Sequence, residues 1–252
     1  MLTITSAQLE ALIGAFAWPF VRVLALVAAA PLFGHHAVPR SAKIGLALLI
    51  TALLVPALPA SPPLDAPGAF TLLVQQLLIG IALALSMHVA FAAVALAGDM
   101  IGLQMGLSFA TFVDPQHAGQ TPVLGTFLGL LATLVFFAIN GHLLLLAALA
   151  QSFELAPVSA EPLPGATWSA LVAWGGALFR IGLHLALPVL AAMLAVNIAL
   201  GVLMRAAPQL NLIAVGFPVA LLVGLAMLAL MTPYLGEPMQ EVLLQGLQLW
   251  SR

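Results

Sequence analysis

Two runs of this chain contain no Asp, Glu, Lys or Arg: 33 residues from Ala66 to Gly98, and 39 from Pro115 to Phe153. About 20 apolar residues of helix cross a bilayer's hydrocarbon core, so each run is long enough to do so. The composition agrees. The 252 residues are 63% hydrophobic and 6% charged, with a mean hydropathy of +1.20, whereas a soluble domain carries about 25% charged residues. The chain therefore reads as an all-α integral membrane protein. Six Lys and Arg against eight Asp and Glu leave no basic surface for nucleic acid. With no cysteine, disulfides, thiolate metal sites and Cys nucleophiles are excluded.

Apolar runs and their breakers divide the chain into about six spans. The first helix opens near Thr5, where Thr5-Ser6-Ala7-Gln8 has the form of a capping box. It runs to about Ala30 with a kink at Pro19. Glu10 and Arg22 interrupt its apolar face, and no basic segment precedes it, so it reads as a retained helix rather than a cleaved signal. Pro31–Lys43 is a polar turn and Ile44–Val55 a second helix. Five prolines between Pro56 and Gly68 exclude helix there. Apolar runs follow at Phe70–Ala97, Val123–Ala150, Trp168–Met204 and Leu212–Tyr234, and a polar tail, Glu237–Arg252, closes the chain. Trp168–Met204 would be ~55 Å long as a helix, against a hydrocarbon core of ~30 Å. Tilt does not absorb that excess, so part of the bundle is expected to project from the bilayer under cover of other protein. Arg40, Lys43 and Arg205 mark two turns, whereas Asp65, Glu154, Glu161, Glu237 and Glu241 mark the opposite loops and the tail. The positive-inside rule then places the basic turns in the cytoplasm and both termini outside.

The segment Ala97–Pro122 is the candidate site, because Asp99 and Asp114 sit within it between the uncharged runs. A carboxylate at that depth costs ~3 kcal/mol on insertion scales. Asp99 should therefore meet a cation, an amide or water, and Arg22 and Arg180 are the basic residues deep in apolar runs. Gly98, Gly102 and Gly106 recur every four residues, as do Gly125 and Gly129. Small residues at that spacing let helix backbones approach, within the chain or at a subunit interface. If the helix continues past Gly102, Met105, Phe109 and Phe112 form one apolar stripe that packs a core or closes a pore by dewetting. Six histidines show no metal-ligand spacing. HExxH, G-x-S-x-G and P-loop motifs are absent. Gly98-Asp99 lacks the wider signature of an intramembrane aspartyl protease, so no enzyme, cofactor or metal is expected. A stand-alone proton-coupled transporter using Asp99 and Asp114 is the alternative, but such folds show internal repeats and none is evident.

Four blocks, in order along nearly the whole chain, carry a family resemblance: PLFGHHAVPRSAKIGLA (Pro31–Ala47), GLQMGLSFATFVDP (Gly102–Pro115), SFELAP (Ser152–Pro157) and APQLNLIAVGFP (Ala207–Pro218). Together they resemble the FliR/SctT family of type III secretion export-gate proteins. The resemblance implies a non-enzymatic, multi-pass inner-membrane subunit of the flagellar basal body. It would be built with FliP-type and FliQ-type subunits into a helical hetero-oligomer raised partly out of the membrane plane. An FlhB-type protein would sit at the cytoplasmic base, and unfolded flagellar proteins would pass through the channel; the virulence branch would pass effectors instead.

The whole of 1–252 is then one membrane domain, with a FliP-like part over 1–165 and a FliQ-like hairpin and short tail over 166–252. A plug falls on Gly102–Pro122, with Gln104, Met105, Phe109, Phe112, Val113, Asp114 and Pro115 as its residues. Arg205, Pro208, Gln209 and Asn211 would face the FlhB-type protein. Some members carry a basic residue two positions after the Gly216-Phe217-Pro218 triplet. Ala220 stands there, so no role for a cation transfers.

Overall fold

The computed structural model describes residues 6–59, 61–64, 67–107, 122–159, 165–206 and 216–250. Among these the regular elements are all helical: α1 Ser6–Ala29, α2 Arg40–Leu54, α3 Ala69–Gln104, α4 Val123–Ala138, α5 Gly141–Leu155, α6 Gly165–Ala206, α7 Phe217–Met231 and α8 Gly236–Gln248. Short 3-10 turns at Val55–Ala57 and Thr232–Tyr234 each contain a proline, which cannot continue the preceding helix. Four helices are long and apolar enough to cross a membrane: α2, α3, α6 and α7, the first and last counted with their 3-10 turns. The broken pair α4–α5 makes a fifth if taken as one span, and α1 adds the shorter apolar stretch Ile13–Ala29.

Several boundaries differ from those expected, each for a local reason. α2 starts at Arg40 rather than Ile44. Pro39 sits before its first turn with φ −57°, and its carbonyl accepts from the amides of Ala42 and Lys43. α3 passes straight through Asp99 and stops at Gln104, where Gly106 takes φ +79°. The Leu107 amide bonds back to the Gly102 carbonyl at 3.0 Å and the Gly106 amide to Leu103 at 3.1 Å. That pair of bonds is a Schellman C-cap, so Gly106 ends the helix instead of extending the glycine stripe. Gly106→Ala is expected to cost about 1 kcal/mol, read as a lower thermal midpoint.

The apolar run Val123–Ala150 is not one helix. Asn140 adopts φ 55°, ψ 35°, and its carbonyl starts α5 by accepting from Leu143 and Leu144. Asn140-Gly141 was a readable turn signal inside a hydrophobic run. Asn140→Gly is expected to leave stability unchanged, while Asn140→Val should cost about 1–2 kcal/mol, because a β-branched residue resists the left-handed region. The polar tail is a helix as well. Met239, Val242, Leu243 and Leu247 are buried along one face of α8, and Glu237, Gln240, Glu241, Gln245 and Gln248 are exposed on the other. The period of 3.6 is the signal that the tail's high polar content concealed.

The chain gathers into two compact units: Met1–Val89 with Asn140–Gly175 and Leu244–Arg252, and Ala90–Ile139 with Gly176–Leu243. In the first, α1 packs on α2 through Ala47, Ile50 and Thr51. Trp18, Val23, Leu26, Leu72, Ile79, Leu83, Met87, Leu149 and Phe153 are buried there. Gly80 of α3 lets α1 come close: a Cβ would strike the Arg22 carbonyl and lie 2.6 Å from the Ala25 Cβ. Trp18 ties the proline-rich loop to α1 by donating to the Pro62 carbonyl at 2.8 Å. The second unit centres on Val94, Ala97 and Ile101 of α3 and on Met105 just beyond its end, with Leu128, Leu185, Val189, Leu228 and Met239 around them.

Burial is very uneven. In their most apolar stretches α3 is 61% buried and α6 only 11%, and α6 is 42 residues long, about 63 Å. Val172, Phe179, Leu194, Ile198 and Val202 of α6 are among the exposed large apolar side chains. So much exposed apolar surface is the mark of lipid or protein contact.

Candidate functional site

Arg22, the first of the intramembrane charges, is wholly enclosed in the first unit and is the largest of its fully buried side chains. Its Nε donates to Gln76 Oε1 at 2.7 Å. Nη1 donates to the Ser152 carbonyl at 2.8 Å and to Ser152 Oγ at 3.1 Å, and Nη2 to the Ala156 carbonyl at 2.8 Å. The guanidinium carbon lies 4.0 Å from the centroid of the Phe153 ring. No carboxylate is in this set, so the ion pair with Asp99 that sequence reasoning allowed is not the arrangement at Arg22. Ser152 and Ala156 carry carbonyls of the last turn of α5, the negative end of that helix. Arg22 therefore serves α5 as a C-cap reached from α1. SFELAP, a block of the family resemblance, is the stretch it holds.

Asp99 lies in the second unit, on the helical part of α3. Its carboxylate rests on Gly125, at the third position of α4: a Cβ on Gly125 would collide with Asp99 Oδ1, 3.0 Å from Cγ and 3.1 Å from the Ala95 carbonyl. The first intrahelical bond of α4 runs from the Thr126 amide to the Pro122 carbonyl. The preceding amides form the positive end of the helix, which suits a carboxylate. Arg180, the other candidate cation, is exposed on α6.

The expected glycine contacts separate into three kinds. Gly98 is a true close approach: a Cβ would strike the Leu124 carbonyl oxygen and lie 2.6 Å from the Gly125 amide nitrogen. Gly102 is in ordinary contact with Leu124, at 3.9 Å, and Gly129 has open space around its Cα. Gly129→Ala is thus expected to leave the thermal midpoint of the isolated chain unchanged, and a loss seen only in an assembled complex would place Gly129 at a subunit contact.

Two glycines that spacing did not flag are also close approaches. Gly182 of α6 would meet the Ala93 carbonyl at 2.9 Å and Leu96 Cδ2 at 3.0 Å, and Gly224 of α7 would meet the Met105 side chain, with Sδ at 2.7 Å. The C-terminal half of α3 is thus a post against which α4, α6 and α7 each set a glycine. Single, unrepeated glycines in apolar helices offer no pattern to read, which is why only the stripes were visible in the sequence.

Met105 is fully buried against Gly224 rather than free on a stripe, since the helix ends one residue before it. Gln104, half-buried, is the last helical residue. Phe109, Phe112, Val113, Asp114 and Pro115, together with Pro208, Gln209 and Asn211, lie outside the described residues; Arg205 is exposed at the end of α6. His88, isolated in an apolar run, donates from Nε2 to the Ala29 carbonyl at 2.6 Å and so caps α1. Among the described residues no three His, Cys, Asp or Glu side chains converge as a metal site.

The family model described as "Bacterial export proteins, family 1" matches residues 13–246. The chain belongs to this family. Among its relatives is the flagellar biosynthetic protein FliR of Pectobacterium carotovorum, 47% identical over 92% of this chain and 90% of the relative. FliR of Escherichia coli K12 is 46% identical over the same shares, and FliR of Bacillus subtilis 35% identical over 85% and 84%. The family match takes in α2 to α7 whole, and with them both Arg22 and the glycine-clamped post. The apolar helices and this membership make the chain a multi-pass membrane protein of a bacterial export apparatus.

Proposed function

We propose that this chain is a non-enzymatic subunit of the flagellar type III protein export gate, in the bacterial inner membrane at the flagellar basal body. It helps form and close the channel through which unfolded flagellar proteins leave the cell. The observation that carries this is membership of the export family over residues 13–246, joined to relatives named for flagellar biosynthesis. The same names favour flagellar over virulence cargo.

The nearly unburied α6, longer than a bilayer is thick, supports assembly with FliP-type and FliQ-type subunits, because protein can cover the part that lipid cannot. In this reading 1–165 is the FliP-like part and 166–252 the FliQ-like hairpin with its terminal helix. Arg205, Pro208, Gln209 and Asn211 face an FlhB-type protein. The plug runs from Gly102 to Pro122, with Met105, Phe109, Phe112 and Val113 as its apolar seals and Gln104, Asp114 and Pro115 among its residues. Gln104 and Met105 anchor it to the end of α3.

Removing Phe109–Asp114 tests the reading. The closed complex reconstituted in a bilayer is expected to become conductive to small ions while still assembling. Conductance equal to that of the parent would reject the plug.

A further inference from the structure

The contact between α3 and α4 in the second unit has three parts that act at one place. Gly98 brings the backbones together: its Cα faces the Leu124 carbonyl and the Gly125 amide with no room for a methyl group. Gly125 returns the approach, and the space its missing Cβ would fill is taken by the Asp99 carboxylate. One turn further along, Gly102 and Leu124 are in ordinary contact, 3.9 Å from the Cβ position of one to the Cβ of the other. Opposed glycines give the close van der Waals packing that holds helices together in lipid. The carboxylate adds a charge at the positive end of α4. To part the two helices would take that partly exposed charge away from the dipole.

We propose that Asp99, Gly98 and Gly125 form a permanent clamp between α3 and α4, and that these two helices stay together while protein is exported. Asp99 is then a positioning residue. It takes no part in proton or ion coupling but fixes the start of α4 on the post. The proposal rests on the export-gate reading and adds a statement about which contacts do not move during the work of the gate.

The absence of native cysteine makes a direct test available. Gly102→Cys with Leu124→Cys places two thiols at a Cβ separation within the usual disulfide range of about 3.5–4.5 Å. The paired variant replaces the parent chain in cells with its own gate subunits. Crosslink yield in membranes is measured by gel mobility, and export of flagellar subunits before and after oxidation. The clamp predicts near-complete crosslinking on mild oxidation, with export by the oxidised variant within twofold of export by the same variant reduced. Failure to crosslink overturns the geometry. Crosslinking that stops export, with recovery on reduction, overturns permanence. A parent chain that does not support export at all overturns the gate reading and the clamp's role with it.

A second pair of variants serves if the cysteines prevent assembly. Gly125→Ala is expected to reduce assembled complex at least tenfold, because the new methyl meets the Asp99 carboxylate. Adding Asp99→Ala vacates that space and is expected to restore assembly several-fold over Gly125→Ala alone. Equal or worse assembly in the double variant would overturn the lodged-carboxylate geometry, since only groups in contact show such coupling.

Discussion

Arg22→Ala is expected to unfold the first unit more readily than any apolar truncation around it, by about 3–5 kcal/mol, seen as a collapse of the thermal midpoint of the purified chain. The size follows from what the guanidinium holds. Four donated bonds join α1 to Gln76 of α3 and to the Ser152 carbonyl, the Ser152 hydroxyl and the Ala156 carbonyl at the end of α5. Removing the side chain leaves buried acceptors without donors, each costing about 1–3 kcal/mol, and opens a void where its guanidinium lay over Phe153. Loss of one partner from a buried charged arrangement costs about the same total. Arg22→Lys is the sharper variant. A point ammonium cannot reach Gln76 on one side and two carbonyls on the other, because those contacts use the planar fork. It is therefore expected to recover less than half of the loss. A midpoint within experimental error of the parent for either variant would contradict the cap.

Gly98→Ala and Gly224→Ala form the second large contrast, with unequal costs expected from similar distances. At Gly98 the atoms in the way are backbone: the Leu124 carbonyl and the Gly125 amide nitrogen. They cannot yield without moving α4 bodily, so a cost of about 3 kcal/mol is expected, at the top of the usual range for overpacking. At Gly224 the obstacle is the Met105 side chain from Cγ to Cε. Met has three rotatable bonds and refills irregular gaps, so about 1 kcal/mol is expected there. Equal thermal midpoints for the two variants would show that α4 is free to shift and would remove the basis for the α3–α4 clamp.

Much of this architecture could be read from hydropathy because lipid leaves the backbone few options. The uncharged runs located α3 and the α4–α5 pair, and the long run Trp168–Met204 located α6 to within three residues at either end. What could not be read has local causes. Asn140 turned a helix inside an apolar run, where hydrophobic content outvoted a single Asn-Gly. α8 hid behind its glutamines. Gly106 fitted a four-residue repeat while serving as a C-cap.

At the candidate site, buried Arg22, partly exposed Asp99 and the glycines Gly98 and Gly125 were visible in the sequence, but their partners were not. A charge in an apolar run suggests an opposite charge. Yet Arg22 is answered by the carbonyls of a helix end, and the Asp99 carboxylate lies against Gly125 in the first turn of another helix. Helix termini carry their charge in the backbone, where no residue letter records it. The pattern also explains how a chain with six Lys and Arg holds one of them at depth without a carboxylate beside it.

The proposed gate role makes this chain one subunit of a hetero-oligomer. Its most direct test is to co-express the tagged chain with the FliP-type and FliQ-type proteins of its source and to weigh the purified species by native mass spectrometry. A discrete hetero-oligomer containing this chain and both partner types is the predicted result. A stable lone chain or homo-oligomer, with both partners present in the same membranes, would contradict it.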